Sequence, residues 1–171
     1  QYIKFFYYFI LHFHFFIDFV MKFLKFYERD GEVLGTRASK EQYELIRSLV
    51  PAAVYDPISR IVKVEKPDKE LVGCVAVCTG GTADIPVAEE AAQTAEYFGT
   101  KVDRIYDVGV AGIHRLLSQR ERISKANCII AVAGMEGALG TVIAGLADAP
   151  VIAVPTSVGY GASFHGLSAL L

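Results

Sequence analysis

Residues 71–99, "LVGCVAVCTGGTADIPVAEEAAQTAEYFG", decide the fold. The opening LVGCVAV reads as a buried strand by its length and valine content, and the pair Gly80-Gly81 follows it in a loop. A helix comes next, with Pro86 in its first turn. Val87, Ala88, Ala91, Ala92, Ala95 and Phe98 fall on one face, and Gly99 ends it. The same strand–loop–helix unit recurs downstream, as "KVDRIYDVG" with "AGIHRLLSQRERIS", "CIIAVAG" with "MEGALGTVIAGLA", and "PVIAVPT" with "SVGYGASFHGLSALL". Strands alternating with helices at this spacing predict an α/β fold over residues 70–171, a three-layer parallel sheet with helices on both faces. Such sheets bind ligands outside the carboxyl ends of their strands, where the glycine-bearing loops gather.

Upstream, residues 27–68 predict a small, partial α/β N-terminal domain. "GEVLGTRAS" suggests a short strand ending near Gly35. Ser39 caps a helix through "KEQYELIRSLV", with Gln42 in the capping-box position and Pro51 as the stop. "ISRIVKV" suggests a second short strand, and "EKPDKE" a charged linker ending near Glu70. Residues 1–26 stand apart: they hold nine of the eleven Phe and no Gly, Ala, Ser, Thr or Pro. A secretory signal would need a small-residue cleavage site, which is absent. Phe5 to Val20 is only 16 residues long and contains His12, His14 and Asp18. A spanning helix wants ~20 apolar residues, and a central Asp costs about 3 kcal/mol. The segment is read first as a non-native or misframed start, with an interfacial or membrane anchor and a genuine buried helix as alternatives; a membrane is not the expected partner.

The 17 Lys and Arg against 19 Asp and Glu leave the chain near neutral with no basic block, so nucleic acid is not an expected partner. Cys74, Cys78 and Cys128 lie in apolar runs without a second pair or a nearby His, which argues against a zinc site and for core thiols in a reducing cytoplasm.

Three of the four strand-to-helix loops are glycine-rich. Gly80 and Gly81, flanked by Thr79 and Thr82, allow close backbone approach and would expose N–H groups before a helix N-terminus that suits phosphate. The stretch is neither a Walker A nor a G-x-G-x-x-G motif, and Gly80, Gly81 and Asp84 could instead simply make a turn and cap. Glu136 in "AGMEGALG" follows an apolar strand and opens an apolar helix. There it could hydrogen-bond a substrate or shuttle a proton, with Gly134, Met135 and Gly137 around it, or be an ordinary helix-start acid. Asp107 ends a strand at the same edge, and His114 lies just inside the next helix. Each has a structural alternative. "PTSVGYGASFHG" gathers Thr156, Ser157, Tyr160 and Gly161, suited to phosphate, sugar or base contacts or to an ordinary flexible loop. His165 in the same stretch has no evident partner.

"CTGGTADIPVAEEAAQTAEYFG", "RIYDVGVAGIHRLL" and "VAGMEGALGTVIAGLADAPVIAVPTSVGYGASF" closely resemble the LarB family of pyridinium-3,5-biscarboxylic acid mononucleotide synthases. That family is related to the PurE aminoimidazole ribonucleotide carboxylases and mutases. The resemblance implies a PurE/flavodoxin-like fold and an enzyme that takes nicotinic acid adenine dinucleotide and CO2 or bicarbonate. Such an enzyme adds a carboxylate to the pyridinium ring and releases AMP, on the way to the nickel-pincer cofactor of lactate racemase. It implies a covalent mechanism in which a cysteine thiolate adds to the ring. Phosphates would lie near Gly81 and Gly137, with Mg2+ neutralising charge. Glu136 becomes a ring-side polar or acid–base group, Asp84, Asp107 and His114 become site candidates, and homo-oligomer formation follows by analogy.

Three features depart from the family. Its cysteine belongs to an asparagine-serine-cysteine motif just beyond the segment matching "SFHGLSALL", so the chain to Leu171 is expected to be truncated and inactive alone. Cys74, Cys78 and Cys128 sit in strand segments and cannot replace that cysteine. Relatives commonly carry serine at the position of Ala83, and residues 1–26 do not match the family's start. Two alternatives stand beside this reading. One is a PurE-type carboxylase or mutase, against which Met135-Glu136-Gly137 counts, since that family usually has Gly-Gly-Ala-Ala-His there. The other is a non-catalytic fragment.

Overall fold

A computed structural model describes residues 2–158 and 166–170, with side chains from 15 onward. The chain divides into two compact units, Gln1–Asp68 and Lys69–Leu171.

The first unit comprises α1 (Tyr2–Asp30), β1 (Val33–Gly35), α2 (Lys40–Leu49), β2 (Val54–Asp56) and β3 (Ile61–Val64), the strands forming an antiparallel sheet in the order β1-β3-β2. Ser39 caps α2 as expected. Its hydroxyl accepts from the Gln42 N–H at 3.1 Å, while the Gln42 side chain accepts from the Ser39 N–H at 2.8 Å. Strand β2 was not anticipated, because three residues carry no readable alternation. The Phe-rich segment also differs from the first reading. Val20 and Phe23 are buried with Val33, Ile46 and Val62, and Phe16, Phe19 and Leu24 pack against them. A Cβ on Gly35 would come within 2.8 Å of the Phe19 ring, so strand and helix meet closely there. The packing therefore does not change at residue 27: the second half of α1 belongs to this unit's core. Gly31, at φ +71°, ends α1 in the left-handed conformation, its N–H reaching the Tyr27 carbonyl at 2.8 Å. Among the described residues no helix is long and apolar enough to cross a membrane.

The second unit comprises β4 (Val72–Thr79), α3 (Ile85–Tyr97), β5 (Thr100–Ile105), α4 (Ile113–Ser118), α5 (Arg120–Ile123), β6 (Cys128–Ala133), α6 (Ala138–Leu146), β7 (Val151–Pro155) and α7 (Leu167–Leu170). All four strands are parallel, in the order β5-β4-β6-β7. The three-layer α/β expectation holds for a physical reason visible in β4. Ala76 and Cys78 point into a core with Leu116, Ile123, Leu139 and Ile143 from α4, α5 and α6, while Val77 faces Ala88 and Ala92 of α3. Chain direction across the sheet reverses between β4 and β6, which opens a crevice at their carboxyl ends.

Local expectations needed revision. Helix α3 stops at Tyr97, so Phe98 leaves the apolar face and is 75% exposed; the buried ring is Tyr97, with Lys69 Nζ 3.9 Å from its centroid. The single helix expected over 111–124 is a 3-10 turn (Val110–Gly112) followed by α4 and α5, broken at Gln119. At that break the Ser118 hydroxyl bonds back to the Arg115 carbonyl, a local alternative to continued helix. Helix α6 begins at Ala138 rather than Met135, because Gly137 takes a left-handed conformation (φ +66°) immediately before it. The helix expected after β7 is seen as Leu167–Leu170; residues 159–165 lie outside the described set.

Candidate functional site

The loops after β4, β5, β6 and β7 converge on one cleft of about 210 Å³ at the carboxyl ends of the strands. Gly80, Gly81 and Asp84 line it from the β4 loop, Gly109 and Val110 from the β5 loop, Gly134, Met135 and Glu136 from the β6 loop, and Val158 from beyond β7. The first residues of α6, Ala138 and Leu139, complete the wall. Small residues are required where backbones touch. A Cβ on Gly109 would collide with the Gly80 carbonyl, and one on Gly134 with the Val158 carbonyl. Gly109 was not singled out from sequence; its signal was its place in a strand-end loop beside the Gly80 loop.

The glycine pair makes room rather than offering donors. The Gly80 N–H is bonded to the Val132 carbonyl at 2.9 Å, and the Gly81 N–H to Asp84 Oδ2 at 2.9 Å. The expectation that both amides are exposed to a ligand is therefore corrected: sheet and carboxylate already take them. Ala138 and Leu139, the first two residues of α6, line the cleft where a helix start leaves N–H groups without intrahelical partners, whereas the Gly140 N–H behind them is taken by the Gly137 carbonyl at 3.3 Å. Asp84 is buried, and its Oδ1 accepts from the Thr156 hydroxyl at 2.7 Å.

The remaining candidates divide clearly. Thr79 is fully buried outside the cleft lining, its hydroxyl accepting the Asp107 N–H at 2.9 Å. Thr82 is exposed on the 3-10 turn Thr82–Asp84, and Ser157 is exposed beyond β7; neither lines the cleft. Asp107 adopts a left-handed backbone (φ +58°) and pairs with Arg115 at 2.8 Å. His114 is exposed in the first turn of α4, outside the lining. Glu136 is exposed at the cleft, in the turn before α6 rather than on the helix itself, next to Met135 at φ +56°. Gly137 lies behind it, where a Cβ would come within 2.7 Å of the Ala169 carbonyl. Tyr160, Gly161 and His165 lie outside the described residues.

Electrostatically the lining is acidic: its charged side chains are Asp84 and Glu136, with no Lys or Arg among the described lining residues. No group of three metal-ligating side chains is gathered among the described residues. The cysteines do not serve the cleft. Cys78 is buried within β4, and burial, with a smaller push from Asp103, drives its thiol up to about 12, so it is no thiolate at neutral pH. Cys128 begins β6 and Cys74 lies near the start of β4, both toward the opposite end of the sheet.

A three-layer parallel sheet with a small-residue cleft at its switch point places the second unit in the doubly wound α/β class. Comparison with known proteins makes this particular. Residues 74–171 match the family model described as AIR carboxylase, and residues 20–66 match a LarB/PurE-like N-terminal domain. The chain belongs to the AIR carboxylase family. The N-terminal match begins at Val20, inside the Phe-rich segment and at the point where α1 becomes buried. An uncharacterized protein of Methanocaldococcus jannaschii is 49% identical over 113 residues, covering 65% of this chain and 44% of that protein. The N5-carboxyaminoimidazole ribonucleotide mutase of the same organism is 36% identical over 100 residues, covering 57% of this chain and 59% of the mutase. The chain thus spans about half the length of the curated relatives it matches.

Proposed function

We propose that this protein carboxylates the pyridinium ring of nicotinic acid adenine dinucleotide and releases AMP. The observation that carries the reading is the pairing, in one chain, of a LarB/PurE-like N-terminal domain with an AIR carboxylase domain. Beside it, Met135-Glu136-Gly137 occupies the β6 loop, where purine enzymes of the family usually carry a histidine motif.

In this reading the dinucleotide lies across the strand-end cleft. The Gly80, Gly109 and Gly134 backbones admit it at close range, and the α6 N-terminus faces a phosphate. The acidic lining opposes a bare pyrophosphate, which explains why a divalent cation belongs with the substrate. Asp84 and Glu136, the charged side chains of the described lining, are the residues that would hold a divalent cation such as Mg2+, which would neutralise pyrophosphate charge. Glu136, exposed at the rim, accepts the proton that the ring carbon loses when CO2 becomes its new carboxylate. The thiolate that activates the ring is assigned to the asparagine-serine-cysteine motif rather than to Cys74, Cys78 or Cys128. The assay is therefore run on protein that includes that motif, with labelled bicarbonate and the dinucleotide. Label in the ring product together with AMP is the expected result; neither product would overturn the assignment. The similarity to the ribonucleotide mutase supports a second reading, carboxylate transfer on an aminoimidazole ribonucleotide, which the same preparation tests with that substrate.

A further inference from the structure

We propose that Thr156 is a positioning residue: its hydroxyl holds the Asp84 carboxylate along the floor of the cleft, and Thr156 itself does not meet the ligand. The ligand-bound part of this inference rests on the reading that the cleft takes a nucleotide. The geometry stands without it. Thr156 is 3% exposed and Asp84 6% exposed, and they are 72 residues apart in sequence, on the loops after β7 and β4. The Thr156 hydroxyl has two acceptors within reach, Asp84 Oδ1 at 2.7 Å and the Val158 carbonyl at 3.2 Å. A single hydroxyl hydrogen serves the shorter, anionic one best.

Everything around Thr156 fixes that hydroxyl. Its N–H bonds to the Ala133 carbonyl at 3.0 Å, anchoring the residue to the end of β6. Gly134 lies against it so closely that a Cβ there would come within 2.9 Å of Thr156 Oγ1. Gly166 covers the other side, where a Cβ would come within 3.0 Å of the Thr156 carbonyl. On the carboxylate's far side, Oδ2 accepts the Gly81 N–H at 2.9 Å. Asp84 is thus held by one donor per oxygen, from the first and last loops of the site. Its remaining lone pairs are the acceptors it can offer to hydroxyl or amino donors of a ligand in the cleft it lines. Two glycines without side chains and one β-branched alcohol together set the direction of one acid.

The test uses Thr156→Val, which keeps the shape and loses the donor, and Thr156→Ser, which keeps the donor. Without ligand, hydrogen exchange at the Gly81 amide reports the carboxylate's position. Thr156→Val is expected to speed that exchange about tenfold or more as Asp84 turns away, and Thr156→Ser to restore most of the protection. An unchanged Gly81 amide in Thr156→Val would overturn the proposal whatever the ligand. With ligand, nicotinic acid adenine dinucleotide is titrated by calorimetry into wild type, Thr156→Val, Asp84→Ala and the double variant. Thr156→Val alone is expected to weaken binding roughly 10- to 100-fold, and to weaken it less than about twofold further in the Asp84→Ala background. Losses that multiply independently would mean that Thr156 touches the ligand directly, and the proposal fails. Should wild type not bind the dinucleotide, the proposed substrate falls while the Gly81 measurement still decides the role of Thr156.

Discussion

Replacing Gly134 by alanine is expected to push apart the loops that form the cleft. The new Cβ would overlap the Val158 carbonyl and sit 2.9 Å from Thr156 Oγ1. Neither neighbour can rotate away, since one is main chain and the other is held by Asp84. Restoring ordinary contact requires the segment after β7 to move by more than about an ångström. Overpacking against fixed atoms costs about 2–3 kcal/mol, which in a unit of this size lowers Tm by roughly 10–20 °C. Gly145→Ala is the control. Gly145 lies within α6 and its Cβ would meet nothing within 4 Å, so alanine there stabilises by about 0.5–1 kcal/mol. Scanning calorimetry on the three proteins measures both shifts, and dinucleotide binding should fall in Gly134→Ala alone. A Gly134→Ala protein melting within about 2 °C of wild type would refute the packing argument.

Three further outcomes follow from the same structure. Ile143→Ala, truncating a fully buried side chain of α6, should cost about 2–5 kcal/mol in denaturant unfolding, with no direct change at the cleft. Glu136→Gln should leave stability within about 0.5 kcal/mol of wild type while lowering carboxylation about 100-fold or more, as measured by labelled bicarbonate. The third concerns acid stability. Burial pushes the Glu89 carboxyl up, but hydrogen bonds from Arg104, Tyr106 and Gln93 and the Arg104 charge outweigh it and hold Glu89 below its ordinary 4.5. With the folded value below the unfolded one, the unfolded chain binds more protons on acidification, so this stabilisation is present above 4.5 and lost as pH falls through the folded value. Tyr106→Phe removes one of those bonds, so the stability gap between it and wild type should narrow from about pH 6 to about pH 3 in urea titrations.

The parallel sheet was legible because β4, β6 and β7 are short valine- or isoleucine-rich runs and most of the strand ends pass into glycine-rich loops, and Ala76/Cys78 against Val77 needed only a period of two to face opposite layers. The cleft was legible for the same reason: strand ends and glycines mark where backbones must pass. What each polar residue does there was not legible. Thr79 and Thr156 look like ligand hydroxyls in one dimension, yet each is buried and spent on a partner, Asp107 and Asp84, that sequence separation conceals. The left-handed conformation of Met135 left no signal, since methionine is not among the residues that favour it, and that of Asp107 left only the weak one that an aspartate gives. The Phe-rich start misled through its composition. One face of α1 packs on the first unit's core through Val20 and Phe23, while Phe15 and Phe26 remain exposed. Composition averages the two faces.

The account rests on the strand-end cleft being the nucleotide site, and amide NMR during titration with nicotinic acid adenine dinucleotide tests this most directly. Shifts are expected to concentrate at Gly81, Gly109, Gly134, Met135 and Ala138, residues brought to one cleft from three different loops and the start of α6. Shifts confined to the first unit, or scattered away from those five amides, would contradict it.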